Sequence, residues 1–213
     1  MVRQKESVQD RRARLERLRG EQRRAERRRT LLVVGAAAAV VLVLLGSVVF
    51  ALVSDQRKDA ALEEAASAPI EGVQEFADLT RNHVTEPVTY PQSPPVGGDH
   101  APVWTNCGAY TEPLEPMQAV HSLEHGAVWI TYRPDLPARQ LELLTSAVER
   151  FDFALLSPHE QQSSPVVLSA WGAQLPLDDA QDPRLEIFLR AYLQGPQTPE
   201  PGAPCTGGVD GGA

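Results

Sequence analysis

Val120-His121-Ser122-Leu123-Glu124-His125-Gly126-Ala127-Val128-Trp129-Ile130-Thr131-Tyr132-Arg133-Pro134 changes its hydrophobic period partway along. Up to His125 the apolar side chains Ala119, Val120 and Leu123 recur at helical spacing; from Ala127 to Tyr132 the run is continuous and rich in β-formers, as in a buried strand ended by Arg133-Pro134. Gly126 stands at the junction, where a helix stops. On a helical wheel starting at Pro116, Met117, His121, Glu124 and His125 share a sector of about 100°, and Ala119, Val120 and Leu123 fill another. Potential ligands and core-facing residues therefore do not compete for the same face.

Working outward, Pro137 to Phe151 carries Leu141, Leu144 and Val148 at helical spacing. Phe153 to Leu156 and Pro165 to Gly172 read as further strands, and Leu185 to Leu193 as a final helix stopped before Gly195-Pro196. The order β-α-β-β-α predicts an α+β domain with helices covering one face of a small sheet. Upstream, His83 to Pro116 is rich in Pro, Gly and Thr, predicting a short strand at Val84 to Tyr90 and then a long loop.

The amino-terminal part is of another kind. Leu31 to Val53 is an uncharged run of Leu, Val, Ala and Gly with one Ser and one Phe. At about 1.5 Å per residue it spans a bilayer core of roughly 30 Å. Residues 1–29 hold twelve Lys plus Arg against five Asp plus Glu, net +7, whereas the remainder holds eight against twenty-three, net −15. The formal charge of −8 thus hides two oppositely charged compartments. Basic residues before the span predict that this end stays in the cytoplasm and that the rest is exported.

The resulting expectation is a cytoplasmic Arg-rich segment at 1–29, a transmembrane helix at 30–53, a charged, Ala-rich stalk at 54–69, an exported domain at 70–209 and a disordered tail at 210–213. A cleaved signal is the competing reading; the apolar run exceeds a signal core and no Ala-x-Ala site follows it promptly. Tethering to the cell membrane turns the arginines toward anionic lipid headgroups rather than nucleic acid.

Export also makes Cys107 and Cys205 interpretable, because paired thiols persist as disulfides in an oxidising compartment. One bridge is expected, with thiolate metal ligation as the alternative. Four of the five histidines, His83, His100, His121 and His125, together with Glu124, are the candidate metal ligands; His159 reads as a surface turn residue. Imidazole donors point to zinc or copper rather than calcium or magnesium. The competing view is that His125 merely caps the last carbonyls of a helix.

His121-x-x-Glu124-His125 also matches the inverted zincin pattern, in which two histidines hold zinc and the Glu activates water. Gly126 ends the helix too early for a metallopeptidase active-site helix. No Gly-x-Ser-x-Gly elbow, phosphate-cradling Gly loop or Cys-x-x-Cys pair occurs in the exported part. The expectation is therefore a metal-binding, storage or delivery protein rather than an enzyme. The alternatives are an envelope interaction module with structural histidines, docking an envelope partner protein, and a metal-dependent hydrolase.

Pro94-Pro95-Val96-Gly97-Gly98-Asp99-His100, Trp104-Thr105-Asn106-Cys107-Gly108-Ala109-Tyr110 and Val120 to Val128, followed by Ser169-Ala170-Trp171-Gly172 and Pro199 to Gly208, occur in one order. In these motifs the chain resembles the domain of unknown function 3105 family over roughly residues 70 to 209. The resemblance implies an actinobacterial protein with one amino-terminal transmembrane helix and an exported domain. It brings no settled activity, but its motifs coincide with the candidate ligands and with both cysteines.

Overall fold

Helix α1, Val8–Ala66, runs without a break through the Arg-rich segment, the apolar run and most of the expected stalk. The structure, a computed structural model, describes residues 8–211, with side chains from residue 11 onward. Residues 1–7 of the expected cytoplasmic segment and 212–213 of the expected tail lie outside the described residues. The chain divides into two units, Met1–Lys58 and Asp59–Ala213. In the first, the helix is long and apolar enough to cross a membrane, and none of its most apolar stretch is buried in protein. Leu31, Leu32, Leu42 and Phe50 are all well exposed.

The second unit is built on a six-stranded mixed sheet. Its strands are β1 (Gln74–Glu75), β2 (Gly108–Ala109), β3 (Val128–Tyr132), β4 (Ala154–Pro158), β5 (Val166–Ala170) and β6 (Ala173–Leu177). The spatial order is β1-β6-β5-β3-β4-β2. Helix α2 spans Pro116–Glu124, α3 Ala138–Val148 and α4 Arg184–Tyr192. β3 and β4 are parallel and joined through α3, while β5 and β6 form an antiparallel hairpin.

β3 and β4 are buried along their whole length because both faces of the sheet are covered. Val128, Ile130, Tyr132, Leu156 and Leu168 pack with Leu144 and Val148 of α3 and with Leu185, Phe188 and Leu189 of α4. Trp129 and Leu155, one residue out of phase, point the other way and pack with Ala119, Val120 and Leu123 of α2 and with Trp171. Helices thus lie on both faces, α3 and α4 on one and α2 with irregular chain on the other, where the sequence predicts them on one face only.

Three features depart from the sequence reading. The order after α2 is β-α-β-β-β-α, because the expected third strand turns at Trp171-Gly172 and returns as β6, with Ala170 opposite Ala173. Gly172, the second residue of this turn, takes a positive φ of 69° that most side chains resist. No strand forms at Val84 to Tyr90: only His83 pairs, in a single bridge to His100. Pro87 lacks the N–H a ladder needs, and the neighbouring side chains are largely exposed, so nothing holds the segment in a sheet. The short edge strands β1 and β2, two residues each, carry too little pattern to be read.

Candidate metal centre

Helix α2 starts where Pro116 fits the first helical turn and Glu115 caps it, accepting from Gln118 N–H at 3.0 Å. It ends at Gly126, whose φ of 96° lets its N–H reach the Leu123 carbonyl at 3.0 Å while Ala127 N–H reaches that of Ser122 at 3.0 Å. A methyl group on Gly126 would stand 2.9 Å from Thr198 Oγ1 and 3.0 Å from Gln194 Cα. Gly126→Ala is accordingly expected to cost about 1–3 kcal/mol, from both the left-handed backbone and the tight contact. A lowered melting temperature of the domain checks this; an unchanged one would mean that both the backbone at 126 and the carboxy-terminal segment adjust freely.

The segment after His100 runs along α2. Ala101 N–H donates to the Met117 carbonyl at 3.2 Å, Thr105 N–H to that of Gln118 at 3.2 Å, and the buried Ser122 hydroxyl to that of Thr105 at 2.7 Å. His83 is joined to His100 through Val84 N–H to the His100 carbonyl (2.8 Å) and His100 N–H to the Asn82 carbonyl (3.0 Å). Asp99 fixes the same corner by accepting from both Asn82 nitrogens; hydrogen bonds from Thr80 and Asn82 hold its carboxyl below the usual range.

These attachments bring His83, His100, His121 and Glu124 together. One ligand atom from each lies within 4.8 Å of all the others. Glu124 Oε2 stands 2.9 Å from His100 Nε2 and 3.6 Å from His83 Nε2. The His83 and His121 rings stack at 4.7 Å, and the His100 ring lies 4.9 Å from each. His100, His121 and Glu124 are buried; the His83 side chain, 45% exposed, borders solvent.

The orientation of the rings is set by backbone carbonyls. His100 Nδ1 lies 2.8 Å from Gly98 O, His121 Nδ1 2.7 Å from Ala101 O, and His125 Nδ1 2.7 Å from Pro204 O. A carbonyl only accepts, so each neutral ring keeps its proton on Nδ1 and leaves the Nε2 lone pair free. Burial, reinforced by the neighbouring imidazoles, pushes His121 down to about 4 against the stabilising effect of Ala101 O, so this ring is neutral at physiological pH. His100 Nε2 and Glu124 Oε2 are buried and close, yet neither has a hydrogen-bond partner. With the His100 ring neutral, two acceptors face each other among further imidazoles, an arrangement that a cation resolves. Three nitrogens and one carboxylate oxygen suit a first-row divalent ion such as zinc.

Four of the five sequence candidates therefore converge. His125 stands apart: its ring contacts His121 edge-on at 4.6 Å, while its Nε2 faces Glu200 Oε2 at 3.7 Å. Its ring nitrogen goes to Pro204, so it does not cap its own helix through the side chain. The inverted zincin pairing is not formed either, since His121 and His125 do not converge on one point with Glu124. His159 is half-buried against Trp129, away from the cluster. The Met117 carbonyl accepts from Ala101 N–H and so helps to hold the segment after His100 on α2.

Cys107 and Cys205 are bridged, with Cα atoms 5.4 Å apart, so no thiolate is available as a ligand. The carboxy-terminal segment they secure lies over the end of α2: Gln194 N–H donates to Gly126 O at 2.8 Å and Glu200 N–H to Glu124 O at 3.1 Å. The sequence reading missed Glu200 and the carbonyls of Gly98, Ala101 and Pro204. A backbone carbonyl leaves no mark in a sequence, and Glu200 sits in a Pro-rich segment with no periodicity to place it.

No curated protein and no solved structure matches the chain. Residues 9–66, on α1, match a family model described as an inhibitor of host cell division protein domain, which covers neither the sheet nor the histidines. A second family model, described as a protein of unknown function (DUF3105), matches residues 83–207 and so contains all the converging side chains and both cysteines. On that match, which spans more than half of its length, the chain belongs to the DUF3105 family.

Proposed function

We propose that this is a membrane-anchored protein whose exported domain binds one divalent transition-metal ion, zinc or copper, through His83, His100, His121 and Glu124. The observation that carries this reading is the pair His100 Nε2 and Glu124 Oε2, buried 2.9 Å apart with no hydrogen-bond partner for either. Ligand rings pre-oriented through Nδ1 by carbonyls support it, since such outer partners fix metal-binding imidazoles. The absence of a thioether or thiolate among the four donors favours zinc or copper(II) over copper(I). Binding, storage or delivery of the ion is the role, with His83 as the ligand through which it enters and leaves.

The Arg-rich segment before the apolar run is cytoplasmic and lies against anionic headgroups, each arginine contributing about 1 kcal/mol near the surface. The disulfide supports an oxidising compartment on the other side, and the basic residues before the span support a cytoplasmic amino terminus.

Elemental analysis of the full chain in detergent, made without a His tag and dialysed against zinc or copper, tests the reading. About one tightly held equivalent per chain is expected for a closed four-donor site. His83→Ala, at an exposed position, is expected to weaken retention by more than the roughly 10–100-fold that losing a mere outer partner costs, without lowering the melting temperature of the metal-free domain. Metal well below one equivalent across several preparations would end the proposal.

A further inference from the structure

The structure assigns a second divalent-metal position to His125 and Glu200, beside the four-donor site and formed by none of its ligands. The inference rests on the reading that His83, His100, His121 and Glu124 hold the first ion. Its starting point is the ring that the first site leaves out. His125 is buried, and its Nδ1–H is committed to Pro204 O at 2.7 Å, so the Nε2 lone pair is the free donor. That atom faces Glu200 Oε2 at 3.7 Å. The separation is too long for a hydrogen bond. It lies just above the span of about 3.3–3.6 Å between two tetrahedral ligands that share a cation at about 2.0–2.2 Å, so a small rotation of the exposed Glu200 side chain brings both donors to one ion.

The His125 ring and the Glu200 backbone are both held in place. Glu200 N–H is fixed to Glu124 O at 3.1 Å, which sets the register of the Pro-rich segment against α2. The His125 ring is wedged between His121, edge-on at 4.6 Å, and the Trp104 indole at 4.9 Å. Glu200, 49% exposed, opens the position to solvent, so water completes the coordination of an ion held by one imidazole and one carboxylate. The donor set again selects zinc or copper(II). With two protein donors in place of four, it binds more weakly than the first site.

The test is equilibrium dialysis of the full, untagged chain in detergent against zinc ion alone, at free zinc raised stepwise above the level that fills the tight site. Wild type is expected to take up about two equivalents in two phases, and Glu200→Gln about one, with the tight phase unchanged. Because Glu200 is exposed, this variant keeps the fold; His125→Ala should show the same loss but also removes the Pro204 contact. A wild type that stops at one equivalent, or a Glu200→Gln chain that still takes two, overturns the second position and leaves the first site standing. A wild type that takes none overturns the proposed function itself.

Discussion

Glu124→Gln is expected to abolish tight metal uptake and, in the metal-free chain, to raise stability by about 1–3 kcal/mol. The two signs come from one cause. Glu124 is buried, and its Oε2 faces His100 Nε2 at 2.9 Å with no hydrogen bond between them, while His83 Nε2 lies 3.6 Å away. A glutamine has nearly the same shape, carries no charge to desolvate, and can donate an amide N–H to His100 Nε2. It binds a divalent ion poorly. Were Glu124 instead the partner of a structural His100 imidazolium, the substitution would remove a charge-assisted hydrogen bond and destabilise the domain by a similar amount. The direction of the change in melting temperature without metal therefore separates a ligand set from an ion pair. A fall together with undiminished zinc binding would sink the metal reading. His100→Ala, which deletes the most enclosed of the three imidazoles, should weaken zinc binding about a hundredfold or more.

Breaking the disulfide is expected to produce the largest loss of stability. Cys107 and Cys205 are 98 residues apart, and closing a loop of that length is worth about 4–5 kcal/mol on the chain-entropy account. The bridge ties a segment with little apolar content of its own. That segment reaches the sheet domain mainly through backbone contacts: Cys107 N–H to Cys205 O at 2.8 Å, Asn106 N–H to Val209 O at 2.8 Å, and Val209 N–H to Trp104 O at 2.9 Å. Double replacement by serine, or reduction, should lower the denaturation midpoint followed by tryptophan fluorescence. All three tryptophans, Trp104, Trp129 and Trp171, lie in the sheet domain, so α1 does not contribute to the signal. The same change frees Pro204, whose carbonyl orients His125, and should loosen the end of α2 on which Glu124 stands. A reduced protein within about 1 kcal/mol of the oxidised one would show that the closed loop contributes little.

The sequence carried the local part of this architecture. The apolar run from Leu31 to Val53 must be helical if it meets lipid, because only a helix satisfies every backbone group without help. The switch of period at Gly126 marked both α2 and β3, since a 3.6-residue stripe and a continuous β-branched run bury different faces. β6 and the two edge strands were not legible. The Trp171-Gly172 turn is short enough to disappear inside one apolar run, and a two-residue strand exists only because a neighbour offers hydrogen bonds.

For the site, residue type and helical spacing put His121 and Glu124 on one face of α2, and composition nominated His83 and His100. Spacing also nominated His125 for the same ion, and here only the tertiary structure decided. The Pro204 carbonyl, 79 residues away in sequence, turns the His125 ring toward Glu200, while the single bridge between His83 and His100 swings those two rings over Glu124. A sequence fixes which donors exist and which side of a helix they occupy. Which lone pairs meet is decided by hydrogen bonds from distant backbone, and those form only once the chain has packed.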